Sequence, residues 1–285
     1  MLGLVVVSYN TSELTLECLR SVMDAHACEG LRVVVVDNAS DAAQRELLKA
    51  GLQELAIPSL EWLEMGHNAG FAAACNTAID GLLADEAVRH IMLLNNDTVL
   101  VDGGLAALLG HADAHPDADM VAARMHRVAL PEQVDSLGIA MYASALASNR
   151  TCAEDRLLGP TGGLALYSRR LLESLRQRHG MVFDERFFCY AEDTDLALRA
   201  RLLGFEATFL DECVALHHGQ ASSGGGFSDF VLYHGIRNSI WVMVKDFPLP
   251  WLIVLSPLVV ALHCGIVLRH GLGGRWRGVW RLYRD

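Results

Sequence analysis

A chain of 285 residues can bury one or two sizeable cores, and a hydrophobic share of 52% is too high for a disordered protein. The net charge is −11, but residues 269–285 hold five arginines and one aspartate, so this segment carries +4 and the remainder −15. The acidic body excludes the basic footprint of a nucleic-acid-binding protein, whereas the basic end suits a membrane surface. Seven cysteines without a CxxC pair predict reduced thiols in a cytosolic protein and argue against a structural zinc site.

The first 125 residues alternate apolar runs with helical patterns. Strands are predicted at 4–7, 33–36, 59–65 and 91–94, because these segments are rich in aliphatic side chains. Helices are predicted at 12–23, from Ser40 or Asp41 through Lys49 with Gly51 as the end, and at 69–83. This order predicts an α/β fold with a mostly parallel central sheet flanked by helices.

The second half of the sequence is less regular. Residues 126–160 predict a loop-rich region with short strands. Beyond it we expect strands at 162–167 and 205–210, and a helix that starts at Ser168 or Arg169. A second helix is expected at 193–203 with Gly204 after it, and a flexible loop at 222–226.

The C-terminal segment has the composition of a membrane-associating helix. Residues 249–268 contain no Asp, Glu, Lys or Arg, and this length just reaches what a bilayer span needs. Five arginines interleaved with Trp276, Trp280 and Tyr283 follow, a pattern typical of a membrane interface. A core helix with a basic solvent face is the alternative. We therefore predict a main domain at 1–245 and a membrane-associating helical tail at 246–285, peripheral on the cytoplasmic face.

Four polar clusters interrupt the apolar scaffold. Three of them directly follow predicted strands: Ser8-Tyr9-Asn10, Asp37-Asn38 and Asn95-Asn96-Asp97. The fourth begins a predicted helix and is followed by a histidine pair: Glu192-Asp193-Thr194-Asp195, then His217-His218. Ligands of open α/β sheets bind at the carboxyl ends of the strands, so the clusters predict one edge that holds a nucleotide and a divalent metal.

The strand-end residues each have two interpretations. Asp37 can accept hydrogen bonds from a base or ribose, or can simply start a turn. Asp97 suits Mg²⁺ or Mn²⁺ beside substrate phosphates, with Asn96 on a ribose, but the pair can equally be a strand-to-turn junction. Gly162 and Gly163 either let the backbone approach a substrate or mark a tight turn.

The acidic cluster is a candidate catalytic base. Repulsion among Glu192, Asp193 and Asp195 raises the pKa of some of them, and a carboxylate tuned in this way can deprotonate an acceptor hydroxyl. The other interpretation is favourable charge at a helix N-terminus. His217 is a structural histidine or, beside an acidic metal site, an Mn²⁺ ligand. The sequence has no GxGxxG after the first strand and no GxxxxGK[ST], so dinucleotide and P-loop sites lack their key residues.

The motifs occur in a fixed order: VVVSYN, VVDNAS, NAGFAAACN, LLNNDT, GPTGG, FDERFFCYAEDTDLALR and HHGQAS. Over about residues 3–245 this set resembles the family 2 glycosyltransferases of the GT-A fold, and it is most similar to the bacterial rhamnosyltransferase branch. The resemblance implies transfer of a sugar, with inversion, from a nucleotide diphosphate donor such as dTDP-rhamnose. The implied acceptor is a saccharide or lipid-linked molecule in cell-surface polysaccharide synthesis.

The resemblance also assigns roles to the clusters. The residues implied to hold the donor are Ser8, Tyr9, Asp37, Asn68, Gly70, Asn96 and Asp97. Asp193 would be the base with Glu192 beside it, and the acceptor side would include Gly162, Gly163 and Asp195. Asp97 and His217 would bind Mg²⁺ or Mn²⁺. The position that is usually DXD contains one carboxylate here, that of Asp97, which predicts a modest metal affinity.

Two other functions fit parts of the pattern. A nucleotidyltransferase on a similar sheet needs a basic, glycine-rich loop after the first strand, and residues 8–12 contain no basic side chain. A noncatalytic, membrane-recruited interaction module with the same fold would not need Asp97, Asp193 and His217, and all three are present.

Overall fold

The structure, a computed structural model, describes residues 1–25, 30–142, 146–219 and 228–285. Strands and helices alternate through the N-terminal part: β1 (Leu2–Ser8), α1 (Ser12–Ala25), β2 (Leu31–Asp37), α2 (Ala42–Leu55), β3 (Leu60–Glu64), α3 (Gly70–Leu83), β4 (His90–Leu94), β5 (Thr98–Leu100) and α4 (Gly104–Ala114). The four strands and three helices predicted for this part are all present, and β5 and α4 are additional.

The second part begins with short strands and ends with helices: β6 (Ala118–Arg127), β7 (Val134–Ser136), β8 (Ile139–Met141), β9 (Ala147–Asn149), β10 (Leu157–Gly159), β11 (Leu164–Ser168), α5 (Arg169–His179), α6 (Glu192–Leu202), β12 (Glu206–His217), α7 (Asp229–Asp246), α8 (Leu249–Leu272) and α9 (Trp276–Arg284). A 3₁₀ turn at Glu185–Phe187 precedes α6. The loop predicted at 222–226 lies outside the described residues.

The main sheet has the strand order β3-β2-β1-β4-β11-β6-β12-β5, with β7 paired to β6. Neighbours from β3 to β4 are parallel, as are β6 and β12. Strand β11 runs antiparallel to both β4 and β6, so the sheet is mixed beyond its parallel N-terminal half. A second sheet of three strands, β10-β8-β9, lies outside it. The predicted α/β fold with a central sheet and flanking helices is confirmed.

The parallel strands end level with one another, which prepares an edge for a site. Ser8 pairs with Asp37, and Asp37 pairs with Glu64, so β1, β2 and β3 finish in register. The last residues of parallel strands are where α/β proteins bind ligands. The polar clusters that follow these strands therefore lie at the same edge.

Two layers of helices cover the faces of the sheet. Alternate residues of β2 belong to different cores: Val33 and Val35 pack with α1 and α2, whereas Val34 and Val36 pack with α3. A strand that is buried on both faces has apolar side chains on both sides, which explains the continuous run of valines.

Helix α2 is longer than predicted, because Gly51 does not end it. The helix continues to Leu55, and Ala56 adopts the left-handed conformation with φ 47°. A Cβ on Gly51 would lie 2.4 Å from Cδ1 of Leu16, so this glycine permits close packing of α2 on α1. A glycine inside a helix costs about 1 kcal/mol relative to alanine, and the close approach of the two helices offsets that cost.

The C-terminal helices differ in their exposure. Among the described residues, α8 is long and apolar enough to cross a membrane by length and composition, and none of its most apolar window is buried. Helix α9 packs back on α7, where the Tyr233 hydroxyl donates to Oδ2 of Asp285 at 2.9 Å. Val279 and Leu282 of α9 are buried, whereas Trp280 is 72% exposed. The tail therefore presents apolar and aromatic side chains together with arginines on its outer surface.

Candidate active site

A cleft of about 870 Å³ opens beyond the carboxyl ends of β1, β2 and β4. Its walls also include the start of α6, strand β7 and the first turns of α7, so distant parts of the chain meet there. This volume is in the range of small-molecule binding sites. The cleft brings together most of the predicted site residues: Tyr9, Asn68, Gly70, Asn96, Asp97, Gly162, Gly163, Glu192, Asp193 and His217.

One end of the cleft is formed by Tyr9 and the loop before α3. Asn38 Nδ2 donates to Oδ1 of Asn68 at 3.0 Å, and Asn38 Oδ1 accepts the N–H of Ala69 at 3.0 Å. Asn68 Oδ1 also accepts the N–H of Gly70 at 3.1 Å. Gly70 has φ +85°, and a Cβ there would lie 2.4 Å from the carbonyl oxygen of Phe188. These contacts fix the loop, and they require glycine at the first position of α3.

Ser8 and Asp37 are not among the cleft-lining residues that the structure describes, and the donor contact expected for them stays a prediction. Ser8 is fully buried, and its hydroxyl accepts a hydrogen bond from Oγ1 of Thr15 at 2.9 Å. Asp37 is 1% exposed, accepts the N–H of Ser40 at 3.3 Å and lies 3.4 Å from Nε of Arg45. Both side chains therefore stabilise the junctions between strands and helices behind the cleft.

Asn96 and Asp97 follow β4 and reach the middle of the cleft. Nδ2 of Asn96 donates to the hydroxyls of Thr11 and Thr15, which anchors the amide to α1. The backbone oxygen of Asp97 accepts the N–H of His218 at 2.9 Å. The turn after β4 is therefore tied both to α1 and to the end of β12.

The imidazole of His217 lies between two carboxylates. Its Nε2 is 3.1 Å from Oδ1 of Asp97, and its Nδ1 is 2.8 Å from Oδ2 of Asp135. Burial lowers the pKa of His217, but the hydrogen bonds to Asp135 and Asp97 outweigh burial and raise the pKa to about 9. Asp135 belongs to β7, in the region of weak periodicity, and sequence reasoning missed it.

A divalent metal suits this group of side chains. Asp97 offers a carboxylate oxygen, which suits both Mg²⁺ and Mn²⁺, and His217 offers an imidazole nitrogen, which suits Mn²⁺ better. The described residues contain no cluster of three or more His, Cys, Asp or Glu side chains that would hold a metal alone. Two protein donors nevertheless fit metals of this kind, because one or two carboxylates commonly hold them together with substrate phosphates.

The Asp193 carboxylate is held in place by two backbone donors. Gly162 N–H donates to Oδ2 at 2.8 Å, and Thr194 N–H donates to Oδ1 at 2.7 Å. Burial raises the pKa of Asp193 above its usual value, and these N–H groups oppose that rise. Gly162 thus has a clear reason to lie in the cleft, since its backbone aims the carboxylate.

Glu192 differs from its neighbour in its hydrogen bonds. Its side chain is 5% exposed, and its Oε2 atom has no hydrogen-bond partner. Burial, together with the nearby Asp193, raises the pKa of Glu192 well above its usual value. Oε2 thus lacks a donor to stabilise an anion, whereas two backbone N–H groups stabilise that of Asp193, so Glu192 holds its proton more strongly than Asp193 does.

Asp195 lies behind the cleft and is not among the described residues that line it, although it was expected on the acceptor side. The side chain is fully buried, and its Oδ2 accepts a hydrogen bond from Arg199 Nε at 2.7 Å. Lys245 of α7 lies 2.5 Å from Oδ1 and 2.9 Å from the carboxylate of Asp184. Asp195 therefore joins α6 to α7 as part of a buried ion-pair network.

The turn that leads into α6 is strained. Phe188, Tyr190 and Ala191 have φ values of 65°, 72° and 64°. Non-glycine residues in this left-handed region cost on the order of 1–3 kcal/mol each, and such strain concentrates at functional sites. Asn238 of α7 contacts this turn, and sequence reasoning missed it as well. The signal that was available is a single amide in the middle of this helix.

With this geometry, the fold and cleft are those of a nucleotide-sugar transferase with the GT-A fold. The sequence model of glycosyl transferase family 2 matches residues 4–176, which is more than half of the chain. The chain therefore belongs to glycosyltransferase family 2.

Solved structures agree with the fold. The mannosyltransferase PcManGT from Pyrobaculum calidifontis, solved with GDP-Man and Mn²⁺, superposes with a TM-score of 0.63 at 17% identity, over 99% of this chain and 85% of that one. S. aureus TarS 1-349 superposes with a TM-score of 0.59 at 17% identity, over 90% of this chain and 69% of that one. The complex of TarS 1-349 with UDP-GlcNAc superposes with a TM-score of 0.60 at 18% identity, over 90% of this chain and 70% of that one. No curated protein sequence matches the chain.

Proposed function

We propose that the protein is an inverting glycosyltransferase that moves a sugar from a nucleotide diphosphate sugar to a saccharide or lipid-linked acceptor. The observation that carries this proposal is the shared cleft, since Asp97 and Asp193 both line it. Direct displacement needs a base for the acceptor and neutralised charge at the leaving diphosphate. A single cleft with both groups supports this reaction.

In this reaction Asp193 takes the proton of the acceptor hydroxyl while the acceptor oxygen bonds to the anomeric carbon. The bond from that carbon to the diphosphate oxygen breaks on the opposite face, so the configuration inverts and no covalent enzyme intermediate forms. The N–H groups of Gly162 and Thr194 aim the carboxylate. The raised pKa of Glu192 disfavours a second negative charge beside the base.

Asp97 and His217 are the residues that would hold Mg²⁺ or Mn²⁺. When bound, such a metal supplies positive charge to the diphosphate as it leaves. With a metal bound, His217 would have lost its second proton, and Asp135 would accept a hydrogen bond from Nδ1 and so orient the ring with Nε2 free to act as a ligand.

The donor is a nucleotide sugar, and the resemblance to the rhamnosyltransferase branch implies dTDP-rhamnose. Tyr9, Asn68 and Gly70 border the end of the cleft where a nucleoside would lie. The complexes of PcManGT with GDP-Man and of TarS with UDP-GlcNAc support this class of donor.

The test begins with a panel of dTDP-rhamnose, UDP-glucose and GDP-mannose, each with and without Mn²⁺. A donor that binds only the folded protein raises the melting temperature of the protein, and the rise depends on the ratio of the donor concentration to its Kd. We expect one donor to raise it in the presence of Mn²⁺ and to release its nucleotide slowly. A protein that none of these donors stabilises would contradict the proposal.

We also propose that residues 246–285 associate with the cytoplasmic face of a membrane, so that the acceptor is membrane-proximal. The exposed α8 and the arginines and tryptophans of α9 support this location. The protein is expected to float with liposomes that contain anionic lipid, and Trp280→Ala should reduce flotation. Leu202→Ala is the control, since Leu202 is comparably exposed at 64% but lies on α6. Equal flotation of wild type and Trp280→Ala would argue against this surface.

A further inference from the structure

A buried amide on α7 holds the strained turn at residues 187–190. Nδ2 of Asn238 donates to the carbonyl oxygens of Phe187 at 2.9 Å, Cys189 at 2.8 Å and Tyr190 at 2.7 Å. Asn238 is fully buried, so water does not compete for these carbonyls. An amide has two N–H hydrogens, so one of them is shared between two acceptors.

The other end of the same amide fixes its orientation. Oδ1 of Asn238 accepts hydrogen bonds from Arg237 Nε at 3.0 Å and Nη2 at 2.8 Å. The guanidinium of Arg237 lies 4.3 Å from the ring centroid of Trp241 and is itself buried. With donors on one side and acceptors on the other, a flipped amide would lose every one of these bonds.

The remaining carbonyl of the turn is also engaged. The oxygen of Phe188 accepts the N–H of Ala72, at the start of α3, at 3.3 Å. The turn is thus held from α3 on one side and from α7 on the other. Such a surplus of hydrogen bonds is what allows the left-handed conformations of Phe188, Tyr190 and Ala191 to persist.

We propose that Asn238 is a positioning residue for the transfer reaction, because it holds the 187–190 turn and thereby fixes the start of α6, where Asp193 lies. This inference rests on Asp193 as the base of the proposed function. The link is short: Ala191 follows the turn, and its carbonyl accepts the first helical N–H of α6, from Asp195, at 2.9 Å. If the turn relaxes, Asp193 loses its alignment with Gly162.

The test uses two matched substitutions. Asn238→Asp keeps the size of the side chain but removes the donors to all three carbonyls. Asn76→Asp is the control: its Nδ2 donates to the carbonyl of Phe183 at 2.8 Å and its Oδ1 accepts the Phe183 N–H at 2.9 Å. Asn76 is also buried, and it holds the same connection upstream of the turn.

We expect Asn238→Asp to lower kcat for nucleotide release by about 100-fold, the effect typical of a misplacement of about 1 Å. KM should change less than kcat, because the turn reaches the Tyr9 end of the cleft only where Phe188 packs against Gly70. Donors are dTDP-rhamnose, UDP-glucose and GDP-mannose with Mn²⁺. Hydrogen exchange at the amides of Cys189 and Asp195 should accelerate at least about tenfold. Asn76→Asp should lower the melting temperature similarly and keep kcat.

Several outcomes would overturn the inference. One is a hydrogen-exchange rate at the Cys189 amide of Asn238→Asp that equals the wild-type rate. Another is a loss of kcat in Asn76→Asp as large as the loss in Asn238→Asp. If Asn238→Asp does not fold, Asn238→Ser retains one donor without a charge, and wild-type kcat in this variant refutes the role. A wild-type protein that turns over none of the three donors contradicts the proposed function. In that case, unchanged hydrogen exchange at Cys189 in Asn238→Asp would still show that Asn238 does not hold the turn.

Discussion

Replacement of Asp193 by asparagine separates a catalytic base from a donor contact. The carboxamide has the shape of the carboxylate, but one of its ends is a donor. That end must face either the N–H of Gly162 or the N–H of Thr194, which lie 2.8 and 2.7 Å from the two oxygens. One charge-assisted hydrogen bond, of about 1.5–3 kcal/mol, is therefore lost. Removal of a buried charge offsets much of this, so the free energy of unfolding should change by less than about 2 kcal/mol.

The effect on turnover is much larger than the effect on stability. A positioned general base contributes about 10²–10⁴-fold, which corresponds to about 3–5 kcal/mol of the activation barrier. Donor affinity should remain within about twofold, because Tyr9, Asn68 and Asp97 are unchanged. The pH dependence has a defined sign: the base acts only when ionised, so wild-type turnover falls as pH drops through the raised pKa of Asp193.

The assay compares product formation, donor Kd by calorimetry and melting temperature for Asp193→Asn. Asp80→Asn is the matched control, because it makes the same change of atoms on the exposed surface of α3, where Asp80 pairs with Arg176. The control should behave as wild type in all three measurements. A donor Kd raised tenfold or more, with turnover within about threefold of wild type, would refute the reasoning and make Asp193 a donor contact.

Three further predictions concern neighbouring groups. Glu192→Gln should keep turnover within about fivefold, since glutamine mimics the protonated acid; a loss above about 100-fold would mean that Glu192 acts as an anion. Asp135→Asn should weaken Mn²⁺ binding, measured by calorimetry with UDP, about 10- to 100-fold, and unchanged binding would remove Asp135 from the orientation of His217. Burial, with repulsion from Asp195, raises the pKa of Asp246 to about 7. Because this folded-state pKa exceeds the usual value for aspartate, the free energy of unfolding of the wild type falls as the pH rises from about 4 to about 7. After allowance for partial exposure, Asp246→Asn should be more stable by about 2 kcal/mol at pH 8 and equal near pH 4 in urea denaturation, and equal stability at pH 8 would contradict this.

The sequence identifies the sheet edge because local patterns determine it. The valine run before Asp37 has no polar face, so it predicts a strand buried on both sides, and its end predicts where polar side chains appear. What a local pattern does not determine is which residue of the pair faces the ligand. Asp37 turns inward to Arg45, whereas Asn38 reaches the cleft. A shift of one residue along a strand reverses the face.

Two residues of the site were beyond sequence reasoning for a different reason. Asp135 contacts His217 across 82 residues, and Asn238 contacts the turn at Tyr190 across 48. Neither contact leaves a periodic trace, because each depends on which elements the tertiary fold places side by side. Strand β7 pairs with β6, which is distant from β12 in the sequence, and α7 docks on α6 through Lys245.

Glu192 and Asp193 show how one fold gives adjacent, chemically similar acids different surroundings. Both are buried, so desolvation raises the pKa of each carboxyl. The difference lies in the hydrogen bonds: two backbone N–H groups stabilise the Asp193 anion, whereas Oε2 of Glu192 has no partner. Like charges on adjacent residues disfavour double ionisation, so Glu192 holds its proton more strongly than Asp193 does. The backbone that supplies the N–H of Gly162 thus selects which acid acts as the base.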